Sequence, residues 1–257
     1  MILTSDYHTH TVYSHGKGTI LDNALIAKEK GLVELGITDH GFAHSVFGIN
    51  KKKLPQMRKD CQLASEKTGV KVLLGVESNI VSTNGKTDLN EKYYDDFDIY
   101  LAGIHKIVLY SLNTIFPLAI PNLTASTFNK KQVGKSLIKN NTKTFINTIK
   151  NNPVDVVTHL NFCCFADAVE VAKVAADYGT YLELNAKKTH LTDEELAKIL
   201  DTGVNFVIGS DAHTPDRVGE FSLVLSNLER VNIPEDRIHN INGKLPNFRF
   251  KTFKEGK

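Results

Sequence analysis

The chain has 257 residues, enough to bury a sizeable core as one α/β barrel or as two smaller domains. Its 31 basic and 29 acidic residues leave a net charge of +2 and a pI near 8.3, which argues against a dedicated nucleic-acid or membrane-surface binder. Three cysteines, Cys61, Cys163 and Cys164, make no disulfide framework and fit reduced thiols in a cytoplasmic protein; no signal-peptide pattern opens the chain, and no apolar run approaches the roughly 20 residues of a membrane helix.

Strand and helix patterns alternate along the chain. The strand candidates are 2–7, 33–38, 71–76, 98–103, 155–158, 181–185 and 205–210, short and mostly apolar as buried parallel strands should be. A first helix over 19–30 offers Leu21, Ala24 and Leu25 as one face; a second over 54–68 offers Met57, Cys61 and Ala64. An Ala- and Val-rich helix is expected over 166–178. Thr192 opens another, with Glu195 three residues on completing a capping box. Gly31, Gly69, Gly179 and Gly203 follow helical segments at once, as helix-ending residues do. Repeated β-α units with short loops imply a mostly parallel sheet.

One connection is long. Residues 106–153 separate the fourth and fifth strands and make a candidate lid. Its second half, 133–151, reads as a helix with Leu137, Ile138, Phe145, Ile146 and Ile149 available for burial. Its first half, 107–131, is apolar, contains Pro117 and Pro121, and shows no clear period. The tail 247–257 carries Phe248, Phe250 and Phe253 and is expected to dock on the main body.

Six of the seven strand candidates end in, or run into, metal-type side chains. In order these are His8 and His10, His40, Glu77, His105, His159, and Asp211 and His213, with His15 in the loop after the first strand. An open sheet gathers ligands at one switch point, whereas a barrel gathers them from every strand end at one mouth. The distribution favours a seven-stranded barrel as a single domain over 1–257. Asp211-Ala212-His213 mirrors the spacing of His8-Thr9-His10, and closure would set the two pairs face to face. Imidazoles with a minority of carboxylates suit zinc, manganese or iron better than magnesium or calcium.

Each residue has a bland alternative: a lone His as a hydrogen-bonded core group, Glu77 as a surface charge, Asp211 as a cap. Nine such coincidences at the matching strand ends are not credible together. His44, His190 and His239 fit the pattern less well and read as surface or supporting groups. Cys163 and Cys164, just past His159, read as buried thiols rather than ligands. Asp39 is either an orienting partner for a ligand imidazole or a turn residue. Arg217 and Lys187 are either phosphate contacts or solvated charge.

The blocks Asp6-Tyr7-His8-Thr9-His10-Thr11, Gly36-Ile37-Thr38-Asp39-His40-Gly41 and Gly209-Ser210-Asp211-Ala212-His213-Thr214 resemble signatures of the PHP (polymerase and histidinol phosphatase) family. The blocks around Glu77, His105 and His159 resemble its middle motifs, and the similarity runs from Tyr7 to about Phe221. The chain looks most like the small stand-alone phosphatase-like members. That resemblance implies a distorted seven-stranded (β/α) barrel, TIM-like, with up to three divalent transition-metal ions at the C-terminal mouth. It further implies that His8, His10, Glu77 and Asp211 hold one ion, that Glu77 bridges to a second held by His105 and His159, and that His15, His40 and His213 hold the third. Two departures stand out: Leu160 follows His159 where many relatives carry proline, and the segment after His105 is longer and more apolar than usual.

The reaction this points to is hydrolysis of a small phosphomonoester by a hydroxide bridging two ions, with Glu77, Asp211 and His213 closest to the chemistry. Histidinol-phosphate hydrolysis is a narrower version. A nuclease or phosphodiesterase, and a non-enzymatic module stabilised by metal, are the competing classes. The expected partner is a small phosphorylated metabolite, not nucleic acid or a membrane.

Overall fold

The computed structural model describes residues 1–125 and 130–256. Seven strands pair in sequence order, every neighbouring pair parallel: β1 (Ser5–Thr9), β2 (Glu34–Ile37), β3 (Lys71–Asn79), β4 (Ile99–Gly103), β5 (Val156–Val157), β6 (Tyr181–Asn185) and β7 (Phe206–Gly209). The ends meet through a parallel bridge between Thr9 and Ala212, where His10 N–H donates to Ala212 O at 2.8 Å. The sheet is thus a nearly closed seven-stranded barrel, the architecture expected from the strand-end pattern.

The helices are α1 (Ile20–Glu29), α2 (Leu54–Thr68), α3 (Leu112–Thr114), α4 (Ile120–Ala125), α5 (Lys135–Asn151), α6 (Ala168–Tyr178), α7 (Asp193–Leu200), α8 (Ser222–Val231) and α9 (Arg249–Glu255). Local chemistry explains their ends. Thr19 and Thr192 both form capping boxes, with Asp22 and Glu195, and Asp167 caps α6. Gly69 and Gly179 terminate α2 and α6 in the left-handed conformation that glycine adopts without Cβ strain.

Two apolar layers make the core. One lies between strands and helices, where Leu35, Ile37, Leu74 and Val76 meet Ala24, Ala27, Met57 and Ala64. The other fills the barrel with Tyr7, Ile99, Leu101, Val156, Tyr181 and Val207. Phe248 closes the bottom against the Tyr7 ring, with centroids 4.9 Å apart, and Phe250 is fully buried beside Tyr100. The tail therefore docks as expected, though as helix α9.

Some expectations need correction. The first strand begins at Ser5, not Ile2: Met1 and Ile2 are exposed, and before Ser5 the chain contributes a bridge from Leu3 to Ile241 and the Thr4 carbonyl, which accepts from Val33 N at 2.9 Å. In α1 the buried face is Ile20, Asn23, Ala24 and Ala27, while Leu25 faces solvent, so the apolar triplet named the wrong edge of the stripe. The 107–131 segment is helical from Leu112 to Ala125, through α3, a π turn over Ile115–Ala119, and α4. A π turn resets the helical phase, so no single 3.6-residue period runs through it. Residues 126–129 of that segment, and Lys257 of the tail, lie outside the described residues.

Candidate metal centre

One irregularity in β1 sets the centre. Three steps in β1, from Asp6 to Thr9, pair against two steps in β2, from Leu35 to Ile37. That extra residue is a β-bulge, which re-aims the side chains beyond it. Tyr7 points into the barrel core, and so does the next residue, His8, whose ring meets carboxylates from β3 and β6. The space above the apolar layer exists because small residues line it. A Cβ on Gly209 would stand 2.2 Å from Glu183 Oε1 and 3.0 Å from His8 Cβ; one on Gly103 would stand 2.4 Å from Thr158 Oγ1.

Glu77, at 0 % exposure, is the hub. Its Oε1 lies 2.7 Å from His159 Nε2, 3.0 Å from His105 Nε2 and 3.3 Å from His8 Nε2; its Oε2 lies 2.8 Å from His40 Nδ1 and 3.6 Å from His10 Nε2. Asp211 Oδ1 stands 3.4 Å from His10 Nε2 and 3.3 Å from His213 Nδ1. The mirrored pairs do face each other, the His10 and His213 rings being 4.3 Å apart. His15 is further out: its ring stacks on Phe47 at 4.0 Å and stands 4.9 Å from His213.

The ligand-type atoms fall into four overlapping groups: His10, His40 and His213; His8, His10 and Asp211; His8, Glu77 and His159; His40, Glu77 and His105. Eight of the nine expected ligands belong to at least one, and His15 belongs to none. The geometry thus gathers the cluster without dividing it as the family resemblance implies, since His40 lies against Glu77 and His105 as well as His10 and His213.

The donor set fits metal. Glu77 Oε2 and His40 Nδ1 are buried and 2.8 Å apart, yet neither has a hydrogen-bond partner. Two buried ligand-type atoms this close, with no hydrogen bond satisfying either, suit a shared cation. Two rings have the outer nitrogen occupied. His8 Nδ1 donates to Glu183 Oε1 at 2.5 Å and His105 Nδ1 to Asn79 Oδ1 at 2.8 Å. These bonds leave each Nε2 lone pair for a ligand.

The electrostatics agree for Glu77, Asp211, His10 and His213, and differ for His8. Burial alone would push the Glu77 carboxyl up, but His105, His8 and His40 outweigh it and hold it well below the usual range. Burial would likewise push Asp211 up, and His8 and His10 hold it down. Burial, with His40 beside it, pushes His10 well below its ordinary value, and burial takes His44 and His213 down to about 4. Neutral imidazoles with ionised carboxylates are the form that binds metal. Burial opposes protonation of His8 too, but Glu183, Glu77 and Asp211 raise it well above its usual value.

Backbone conformation is also unusual here. His159 (φ +28°) and Asp211 (φ +50°) are left-handed, and the other non-glycine residues with positive φ among those described are all asparagines. Such conformations cost on the order of 1 kcal/mol each and persist where the surroundings hold them.

Other residues resolve individually. Asp39 touches no imidazole; it accepts from Thr11 N at 2.7 Å, Thr11 Oγ1 at 2.6 Å and the Ser14 hydroxyl, anchoring the loop that carries His15. Lys187 belongs to the site, with Nζ 3.3 Å from Asp211 Oδ1, whereas Arg217 does not line the cavity. Cys163 and Cys164 are buried thiols, and burial pushes Cys163 up to about 12. His44 lines the cavity, stacked on His40 at 4.7 Å; His190 packs on Phe162 at 5.0 Å; His239 sits far away against Tyr181.

Sequence reasoning missed Glu183. Its Oε1 holds His8, and its Oε2 accepts the His159 backbone N–H at 2.7 Å. A signal was available: a carboxylate between Leu182 and Leu184, in a strand buried on both faces, needs a partner. The mouth above the cluster is a cavity of about 250 Å³, with Phe47, Ile107 and Phe162 as apolar wall and Lys106 and Lys187 as cations.

The chain resembles known proteins in sequence and in fold. The chain is 33% identical over 250 residues to a probable phosphatase of Shewanella sp. (strain MR-4), covering 91% of this chain and 86% of that one. It is 31% identical over 253 residues to a probable phosphatase of Caldanaerobacter subterraneus subsp. tengcongensis, covering 93% and 87%. Its fold is similar to that of histidinol phosphate phosphatase from Lactococcus lactis, solved with zinc, L-histidinol and phosphate, at TM-score 0.60 and 16% identity, covering 91% of this chain and 95% of that one. The PHP domain profile matches residues 6–187, and the chain belongs to the PHP domain family.

Proposed function

We propose that this protein is a metal-dependent phosphatase acting on a small phosphomonoester. The observation that carries this reading is Glu77, a fully buried carboxylate with five imidazoles within 3.6 Å, at the floor of an open cavity. The probable-phosphatase names of two relatives supply the reaction class. His8, His10, Glu77 and Asp211 would hold one ion, and Glu77, His105 and His159 a second. His15, His40 and His213 would hold a third; zinc suits this set, with manganese and iron as alternatives. Bound ions supply a water acidified towards neutrality and neutralise charge on phosphoryl oxygens.

The chain's own residues do the rest. Glu183 fixes His8 and the His159 backbone together, and Asn79 orients His105. Asp39 keeps His15 near the mouth by holding Thr11 and Ser14. Lys187, beside Asp211 and His213, offers a cation to a phosphate oxygen. Phe47, Ile107 and Phe162 exclude water from the leaving group. Residues 1–257 act as one metallohydrolase domain, with Lys106 and Ile107 at the start of the 106–153 connection walling the mouth. Among the described residues no helix is long and apolar enough to cross a membrane, and the cysteines are unpaired, as in a cytoplasmic protein.

Histidinol phosphate is the narrower substrate reading, supported by the aromatic wall of Phe47 and Phe162, on which an imidazole would stack. Phosphate release should be measured across phosphorylated metabolites, histidinol phosphate and a single-stranded oligonucleotide, with metal content determined on the same protein. Release from monoesters supports the proposal. Nucleotide release alone, or inactivity of fully metallated protein, overturns it.

A further inference from the structure

The long connection carries chemistry that hydrolysis does not use. Between Asp98 and Asp155 there is no acidic residue, but there are seven lysines. A chain of net charge +2 is therefore a +7 stretch on a body of −5. The near-neutral total that argued against surface binding conceals this split.

Three of those lysines, Lys135, Lys139 and Lys143, recur every four residues along α5 and are exposed. None has an acidic partner among the described residues, while the other side of α5 buries Phe145 and Ile149 in the core. Against α5 lie the π turn and α4, into which α3 runs, joined to it by Asn140 Nδ2 donating to Pro117 O at 2.8 Å and by reciprocal amide bonds between Asn122 and Asn141. The outer side of this unit is apolar: Leu112 is 86 %, Phe116 78 % and Ile120 46 % exposed, with Leu109 nearby at 69 %. Scattered exposed apolar residues are ordinary, but three large ones on one short unit with a fourth just before it, beside the lysine-bearing α5, mark an interaction surface.

We propose that this face docks the protein on an anionic lipid surface. The four apolar side chains enter the headgroup boundary and the α5 lysines meet the headgroups, as for an interfacial amphipathic helix. Charge complementarity selects this occupant. A second copy joined symmetrically through this face would set one +7 stretch against another. A nucleic-acid strand would use the lysines and could stack on Phe116, but would gain nothing from aliphatic Leu109, Leu112 and Ile120, which offer no stacking face. Ile107, a wall of the mouth cavity, is two residues from Leu109, so the docking face adjoins the mouth.

Flotation of the full chain with phosphatidylcholine vesicles, with and without phosphatidylserine, tests this independently of any activity. Binding is expected only with phosphatidylserine and weakens as salt rises. The triple variant Lys135→Glu, Lys139→Glu, Lys143→Glu should bind roughly 100-fold more weakly, and Leu112→Ser with Phe116→Ser about 10-fold or more weakly. Both variants should unfold cooperatively at the wild-type temperature and hydrolyse a soluble ester as wild type does. The proposal is overturned by no binding to the mixed vesicles, or by binding that both variants leave intact. It is also overturned if the lysine variant loses only oligonucleotide binding, or if an oligomer in sedimentation velocity dissolves on Leu112→Ser with Phe116→Ser while vesicles are ignored.

Discussion

Glu183 on β6 grips two partners at once, the ring of His8 on β1 and the backbone of His159 after β5. One carboxylate thus ties three strand ends together beneath the Glu77 cluster. Glu183→Gln keeps the shape but gives up the charge that favours the His8 Nδ1–H tautomer. Metal affinity should fall about 10–100-fold with the fold intact, read by competition with a chromogenic chelator. Unchanged affinity would show that Glu183 is only a packing residue.

Glu77→Gln should lose more. The variant places a neutral amide among five imidazoles, so at least one ion should be absent by elemental analysis and phosphate release should fall at least about 1,000-fold. A variant retaining full metal content and rate would remove Glu77 from the centre.

Chelation should destabilise the wild type, because the ions bind only the assembled cluster. Stripping a metal present at 100 times its dissociation constant costs about 2.7 kcal/mol per site, visible as a lower Tm that returns with zinc or manganese. An identical Tm in stripped and reloaded protein contradicts a built site.

Gly209→Ala tests the space made for the cluster. The new Cβ meets Glu183 Oε1 and His8 Cβ, both buried and committed. The expected cost is about 1–3 kcal/mol in urea unfolding, with metal affinity falling alongside. Loss of stability with normal metal binding would mean that the strain relaxes away from the site.

Asp155, far from the metal centre, sets a pH dependence. Burial pushes its carboxyl up to about 7, despite bonds from Tyr100 N and Phe250 N and the nearby Arg249 and Lys254. The unfolded carboxyl titrates near about 3.9. Between those values the folded state holds the extra proton, so this group's contribution is full below about pH 4 and is lost as pH rises through 7. Metal-free wild type should lose more Tm between pH 5 and pH 8 than Asp155→Asn does, although the variant starts lower for want of a second acceptor. Parallel curves would refute the assignment.

The apolar runs at β2 through β7, the capping boxes at Thr19 and Thr192, and the strand-end positions of His40, Glu77, His105, His159 and Asp211 were all legible, because they rest on local periodicity and chemistry. The 112–125 helices were not, since a π turn breaks the period on which such reading depends. Lys187 was ambiguous, because a surface lysine and one leaning over Asp211 look alike until the ends of β6 and β7 are placed side by side.

By itself the sequence determined which side chains are available and that they recur at strand ends, since residue type and period-two alternation are properties of the chain. Only the tertiary structure decided where they point. The bulge in β1 turns His8 inward next to Tyr7, the Thr9–Ala212 bridge closes the ring, and Glu183 reaches across it. Those three relations join residues about 175 or more positions apart, or depend on register against a neighbouring strand, and no local pattern encodes either.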